Sequence, residues 1–170
     1  MKGRLKEHYI HHNNNTYKLY DEDKKTCLMI ANRKLSILNT VFDIYDNKDH
    51  IGTLKSNFIR SYYILKKNNS ELVSILYKKF CMTRKIKVKV SPEFMVFNSE
   101  KSYYDPYLGE YCLDYNNDRV TKSSYKNFII INEDGSTVLQ FGKTGDNTFI
   151  MDNTDMLTTI QAFSICLSQF

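Results

Sequence analysis

The stretch Met156 to Phe170, MLTTIQAFSICLSQF, carries no charged side chain, and its large apolar groups follow no strand period. Met156, Leu157, Ile160, Phe163, Ile165, Leu167 and Phe170 point in nearly every direction around a helical wheel, so the segment reads as a helix that must be enclosed on all sides. A helix of about 22 Å is too short to span a bilayer, so the enclosure is expected to be protein. A membrane-surface anchor would need a basic face, which this segment lacks. Asp155 is placed to cap its N-terminus, and Asp152 adds negative charge near the positive end of the helix dipole.

The residues before it supply the enclosure. Thirteen short runs read as strands: Lys2 to Glu7, Thr16 to Tyr20, Thr26 to Ala31, Thr40 to Tyr45, His50 to Lys55, Ser61 to Lys66, Glu71 to Tyr77, Lys85 to Val90, Glu93 to Asn98, Tyr111 to Asn116, Phe128 to Asn132, Thr137 to Lys143 and Thr148 to Asp152. Turn residues such as Asn47, Asn68-Asn69, Asn116-Asn117 and Asp134-Gly135 separate them. Thirteen Tyr and ten Phe, with only two Pro and six Gly, favour strands throughout. Many short strands at regular spacing imply a sandwich or a closed barrel. At 170 residues and 20.1 kDa the chain can bury a core without disulfide or metal, and one domain over residues 1–170 is expected.

Cys27, Cys81, Cys112 and Cys166 lie far apart, without the paired spacing of a zinc knuckle or redox dithiol, and are expected to be reduced and mostly buried. Met1 to Glu7 contain no apolar run of the kind a secretory signal needs, so a cytosolic or nuclear compartment is expected. The net charge of +5 conceals an asymmetry. Residues 55–89 hold ten bases against one acid, Glu71, a local charge of +9 that leaves −4 for the rest. Within that segment Lys85, Lys87 and Lys89 alternate with Ile86, Val88 and Val90, which puts three ammonium groups on one strand face. Such a field suits a polyanion, either an anionic lipid leaflet or a nucleic acid.

Catalytic chemistry finds little support. Gly142-Lys143-Thr144 lacks the upstream glycine of a phosphate-binding loop, and no Gly-x-Ser-x-Gly elbow occurs. His8, His11 and His12 have no nearby Cys or further His to complete a metal site. Neither an enzyme nor a cofactor or metal is therefore expected.

Three late blocks are specific: RVTKSSYKNFIII at Arg119 to Ile131, VLQFGKTGDNTFIMD at Val138 to Asp152 and LTTIQAFSICLSQF at Leu157 to Phe170. With their spacing, they closely resemble the end of the tubby C-terminal domain. Upstream, IGTLKSNF at Ile51 to Phe58 is similar to the family motif Gly-Lys-Leu-Arg-Ser-Asn, ANRK at Ala31 to Lys34 to Ala-Gly-Arg-Lys, and KGRL at Lys2 to Leu5 to the first strand. The resemblance implies a mainly β fold: a closed antiparallel barrel of about twelve strands enclosing a hydrophobic C-terminal α-helix.

The resemblance also implies binding to phosphatidylinositol 4,5-bisphosphate through the motif's Lys and Arg. Two residues separated by one on a strand face the same way, so the pair can meet two ring phosphates together. Here the first position is Thr53 and the second Lys55, a hydroxyl and a point charge in place of a full charge and a bidentate guanidinium. A loss of roughly 1 to 3 kcal/mol would lower affinity about fivefold to 150-fold. Compensation is expected from Arg33 and Lys34, or from a polar group at Asn39 or Thr40. The expected role is that of a monomeric peripheral adaptor at the plasma membrane, whose partners are an anionic phosphoinositide surface and a membrane-protein cargo. The alternative is a nucleic-acid-binding or transcription-regulating module that uses the basic face. No helix-turn-helix, zinc finger or stacking strand supports base recognition.

Overall fold

The computed structural model describes residues 4–80 and 83–170. Lys2 and Gly3 of the KGRL match lie outside the described residues, as does Cys81. Among the described residues, fourteen strands and one helix make up the regular structure. Twelve strands close a barrel, eight of them consecutive neighbours: β2 (Thr16–Asp21), β3 (Cys27–Leu35), β4 (Thr40–Asp46), β5 (Asp49–Ser56), β6 (Tyr62–Lys67), β7 (Ser70–Phe80), β8 (Thr83–Val90) and β9 (Met95–Ser99). The circuit runs on through β12 (Phe128–Ile131), β13 (Thr137–Lys143) and β14 (Thr148–Asn153) to β1 (Lys6–Asn13), and every neighbouring pair is antiparallel. Closure leaves no edge strand, so each barrel strand finds a ladder on both sides. β10 (Tyr103–Asp105) and β11 (Glu110–Cys112) form a separate hairpin.

Period-2 alternation sorts the strands' two faces. Tyr17 and Leu19, Phe42 and Ile44, Tyr63 and Leu65, Val73 and Ile75, and Ile86, Val88 and Val90 all point inward and are buried. The hairpins are turned by the residues read as punctuation. Asn68 and Asn69 both adopt positive φ, the conformation a two-residue β6–β7 turn needs and asparagine tolerates.

β12 to β14 break the alternation and are buried on both faces, because residues 113–127 cross over their outer side. Tyr115 donates its hydroxyl to the Phe141 carbonyl at 3.0 Å. Asn117 and Gln140 each donate to Asp152, at 3.1 and 2.8 Å. Arg119 bonds the same fully buried carboxylate, lies 3.2 Å from Glu7, and donates to the His8 carbonyl. Gly142 permits this crossing, since a Cβ there would run into Val120.

The helix α1 (Thr159–Leu167) threads the barrel, and every residue from Gln161 to Leu167 is buried. It is shorter than the span read from sequence. Thr158 is the N-cap, its backbone N–H bonded to Gln161 Oε1 at 2.9 Å, and Asp155 instead pairs with Lys6 at 2.5 Å. Asp152 likewise serves Arg119, Asn117 and Gln140 on the wall. On the inner wall Gly52 makes room for the helix: a Cβ would lie 3.2 Å from Ile160. At the C-terminal end Ser168 donates to the Ile165 carbonyl at 2.6 Å and Gln169 to the Tyr77 hydroxyl at 2.7 Å. Phe170 closes the rim against His12, Tyr17 and Phe149, with ring centroids 5.3, 4.8 and 5.2 Å away.

Three readings need correction. The first described strand lies at Lys6–Asn13, so of the run Lys2 to Glu7 only Lys6 and Glu7 belong to it, Arg4 and Leu5 precede it, and Lys2 and Gly3 lie outside the described residues. Tyr111 to Asn116 is not a barrel strand, since only Glu110–Cys112 is extended and it pairs with Tyr103–Asp105. Of the described cysteines only Cys166 is buried, and burial raises its thiol well above the usual range; Cys27 and Cys112 are partly exposed.

Two substitutions test this packing. Phe163→Ala should lower unfolding free energy by about 3–5 kcal/mol, read as a shift in urea midpoint, because the barrel wall cannot collapse onto the vacated volume. Arg119→Met should cost about 3–5 kcal/mol by the same measurement, since it strips the cation from a carboxylate without solvent access.

Candidate phosphate-binding face

The outer faces of β3 to β6 bring together three of the five residues singled out in the sequence. Cross-strand partners share a face, so the register places Lys34, Val41, Lys55 and Ile64 in one row across the sheet. Asn32, Asp43, Thr53 and Lys66 form the next row. Lys34 and Lys55 are exposed on either side of Val41, and Thr53 is half-buried in the next row. The first row continues through Ser74 to the exposed Lys89 on β8. Among the described residues, Lys55, Lys66 and Lys89 have no ion-pair partner.

Arg33 and Asn39 do not join them. Arg33 pairs with the inward-facing Phe42 and lies with its guanidinium 5.9 Å from that ring, at the barrel mouth. There it lines a cavity of about 250 Å³ with His12, Tyr17 and Phe170. Asn39 closes the β3–β4 turn, where its carbonyl accepts from the Ser36 N–H at 3.0 Å.

The face also holds a group that sequence reading passed over. Asp43 accepts from the Thr53 hydroxyl at 3.1 Å and pairs with Lys34 at 2.7 Å. With its only proton given to Asp43, Thr53 accepts from His50 Nε2 at 3.0 Å. Burial alone would raise the Asp43 carboxyl, but the bonds from Lys34 and Thr53 outweigh it and hold the group below the ordinary carboxylate range. Lys34 is raised in turn, chiefly by its bond to Asp43. This coupling contributes stability above the ordinary carboxylate pKa and loses it as pH falls through the lowered value. Asp43 thus holds Lys34 and Thr53 as an oxyanion would. Its position ten residues before Thr53, across the hairpin turned at Asn47, was the signal available in the chain.

The family model for the Tub family matches residues 66–170, from the end of β6 through α1. The chain belongs to the tubby family. Human Tubby-related protein 2 is 40% identical over 78 residues, 45% of this chain and 15% of that protein. Tubby-like F-box protein 11 of Oryza sativa subsp. japonica is 35% identical over 85 residues, covering 45% and 21%. Human Tubby-related protein 1 is 42% identical over 64 residues, covering 36% and 12%. The matches therefore span about a fifth or less of these tubby relatives. The face built by β3 to β5 lies upstream of the family match, so its chemistry is argued from its own residues. Among the described residues no helix is long and apolar enough to cross a membrane.

If Asp43 occupies Lys34 and Thr53 in place of a phosphate, Asp43→Asn should free both and remove one negative charge from the face. Affinity for vesicles containing phosphatidylinositol 4,5-bisphosphate should rise about fivefold in co-sedimentation at fixed salt, from ~1 kcal/mol per surface charge. A weaker affinity would show that the carboxylate orders the face for binding instead, and an unchanged one that it does not compete for Lys34 and Thr53.

Proposed function

We propose that this tubby domain is a non-enzymatic, peripheral membrane-binding module that recognises phosphoinositide headgroups, phosphatidylinositol 4,5-bisphosphate foremost, on the outer face of β3 to β6. The observation that carries the reading is the unpaired Lys55, set one row from Lys66 and in line with Lys89 on a continuous antiparallel face. A headgroup phosphate meeting Lys55 would find Thr53 two residues away on the same strand face, and Lys34 beyond Val41. Ammonium groups act as point charges and do not fix phosphate geometry as a guanidinium does, so binding is expected to be weak per headgroup and strongly salt-dependent. Such a module would act at the cytoplasmic leaflet as an adaptor for a membrane-protein cargo.

Lys55→Glu is the direct test. It should reduce co-sedimentation with vesicles containing the bisphosphorylated lipid by about tenfold or more, with little effect on neutral vesicles. If wild-type protein sediments equally with neutral and phosphoinositide vesicles at low salt, the reading fails. A duplex-DNA titration at matched salt separates it from the nucleic-acid alternative, which the exposed Lys85 and Lys89 on β8 would serve: a purely electrostatic binder would take both ligands and lose both as salt rises.

A further inference from the structure

We infer that two adjacent hairpin tips on one rim of the barrel form an apolar wedge that inserts into the anionic bilayer on which the phosphate-binding face docks; this rests on the phosphoinositide reading above. The tips are the β3–β4 turn, where Leu35, Ile37 and Leu38 are 55%, 91% and 69% exposed, and the β5–β6 turn, where Phe58 and Ile59 are 66% and 71% exposed. Five large apolar side chains in two short turns is more than the scattered single exposures normal on a soluble surface. The two turns are neighbours, because β4 pairs with β5 directly beneath them and the Thr40 N–H donates to the buried Ser56 Oγ at 2.8 Å, tying one base to the other.

Each tip bonds several of its backbone groups within its own turn. Ser36 Oγ accepts from the N–H groups of Leu38 and Asn39 at 3.2 and 3.1 Å. Asn57 Oδ1 accepts from those of Ser61 and Tyr62 at 2.9 and 3.2 Å, while the Asn57 carbonyl takes the Arg60 N–H at 3.1 Å. Backbone groups bonded within the turn need not be rehydrated when the tip enters hydrocarbon, which removes much of the cost of inserting a loop. The apolar side chains stay exposed, with Arg60 beside them in the second tip.

Charge selects the occupant. The two tips and the strand ends that carry them, residues 34–42 and 53–61, contain Lys34, Lys55 and Arg60 but no Asp or Glu, and Asp43, one row further from the rim, pairs with Lys34. Lys34 and Lys55 each stand next to the end of their strand, directly behind the tips, so apolar tips backed by a cationic collar meet the surface in the order a bilayer presents hydrocarbon and then phosphate. An apolar groove on a protein partner would leave Lys55 and Arg60, which have no ion-pair partner among the described residues, without a counter-charge. Insertion would then hold Lys55 at headgroup depth and offset the weak grip of its point charge.

The chain contains no Trp, so single-tryptophan reporters test insertion directly on the full chain. Ile37→Trp and Phe58→Trp should shift to the blue on vesicles containing phosphatidylinositol 4,5-bisphosphate and be quenched by brominated acyl chains. Phe94→Trp, 82% exposed in the β8–β9 turn at the opposite rim, should do neither. The double variant Ile37→Asp with Phe58→Asp should lose vesicle binding about tenfold or more while binding soluble inositol trisphosphate as wild type does. Wild-type-like sedimentation of that variant, with unquenched reporters at both tips, would overturn the wedge and leave headgroup recognition standing. Failure of the wild type to bind either vesicles or the soluble headgroup would overturn both.

Discussion

A helix that is apolar on every side has to be surrounded, and most of the structure follows from surrounding α1 with a single closed sheet. Each strand must give one face to the helix, so the inward positions are apolar and the outward ones are free to carry charge. Where the inner wall comes close to the helix the side chain disappears, as at Gly52 against Ile160. Where the wall is buried on both faces, at β12 to β14, a second layer lies outside, and residues 113–127 supply it through Tyr115, Asn117 and Arg119, the last two bonded to the buried Asp152. Phe170 then seals one rim.

The charged outer surface takes its precision from that rigidity. Lys34, Lys55 and Lys89 lie far apart in the chain, and only the ladder of antiparallel registers aligns them. The same ladder sets Asp43 opposite Thr53, so the face carries its own internal anion beside the cations. Both proposals, headgroup recognition and insertion of the tips, depend on strands β3 to β6 holding face and rim in one orientation.

Much of this was legible in the chain, and the places where it was not share a cause. Strands such as Thr137–Lys143 could be read nearly to the residue because β-branched and aromatic runs end abruptly in turn residues. β1 was misplaced because its inward positions include His8 and His12, which make a core face look polar. The same alternation sends His11 to the outer face, so the three histidines do not converge. β10 was missed because Tyr103–Asp105 is short and partly exposed, and pairs only with β11. Arg33 and Lys34 adjoin in the ANRK stretch, but adjacent strand residues face opposite ways, so only the register tells that Lys34 shares the outer face with Lys55.

By itself the sequence determined that a charge-free terminal segment needs an enclosure and that short alternating strands would provide it, because burial of apolar surface is a property of composition and period. It also placed the excess positive charge within residues 55–89. Only the tertiary structure decided which cations share a face, that Asp43 restrains Lys34 and Thr53, and that two separate apolar turns sit side by side on one rim. Those relations are set by strand register and barrel closure, which bring together residues whose separation along the chain carries no trace of their distance in space.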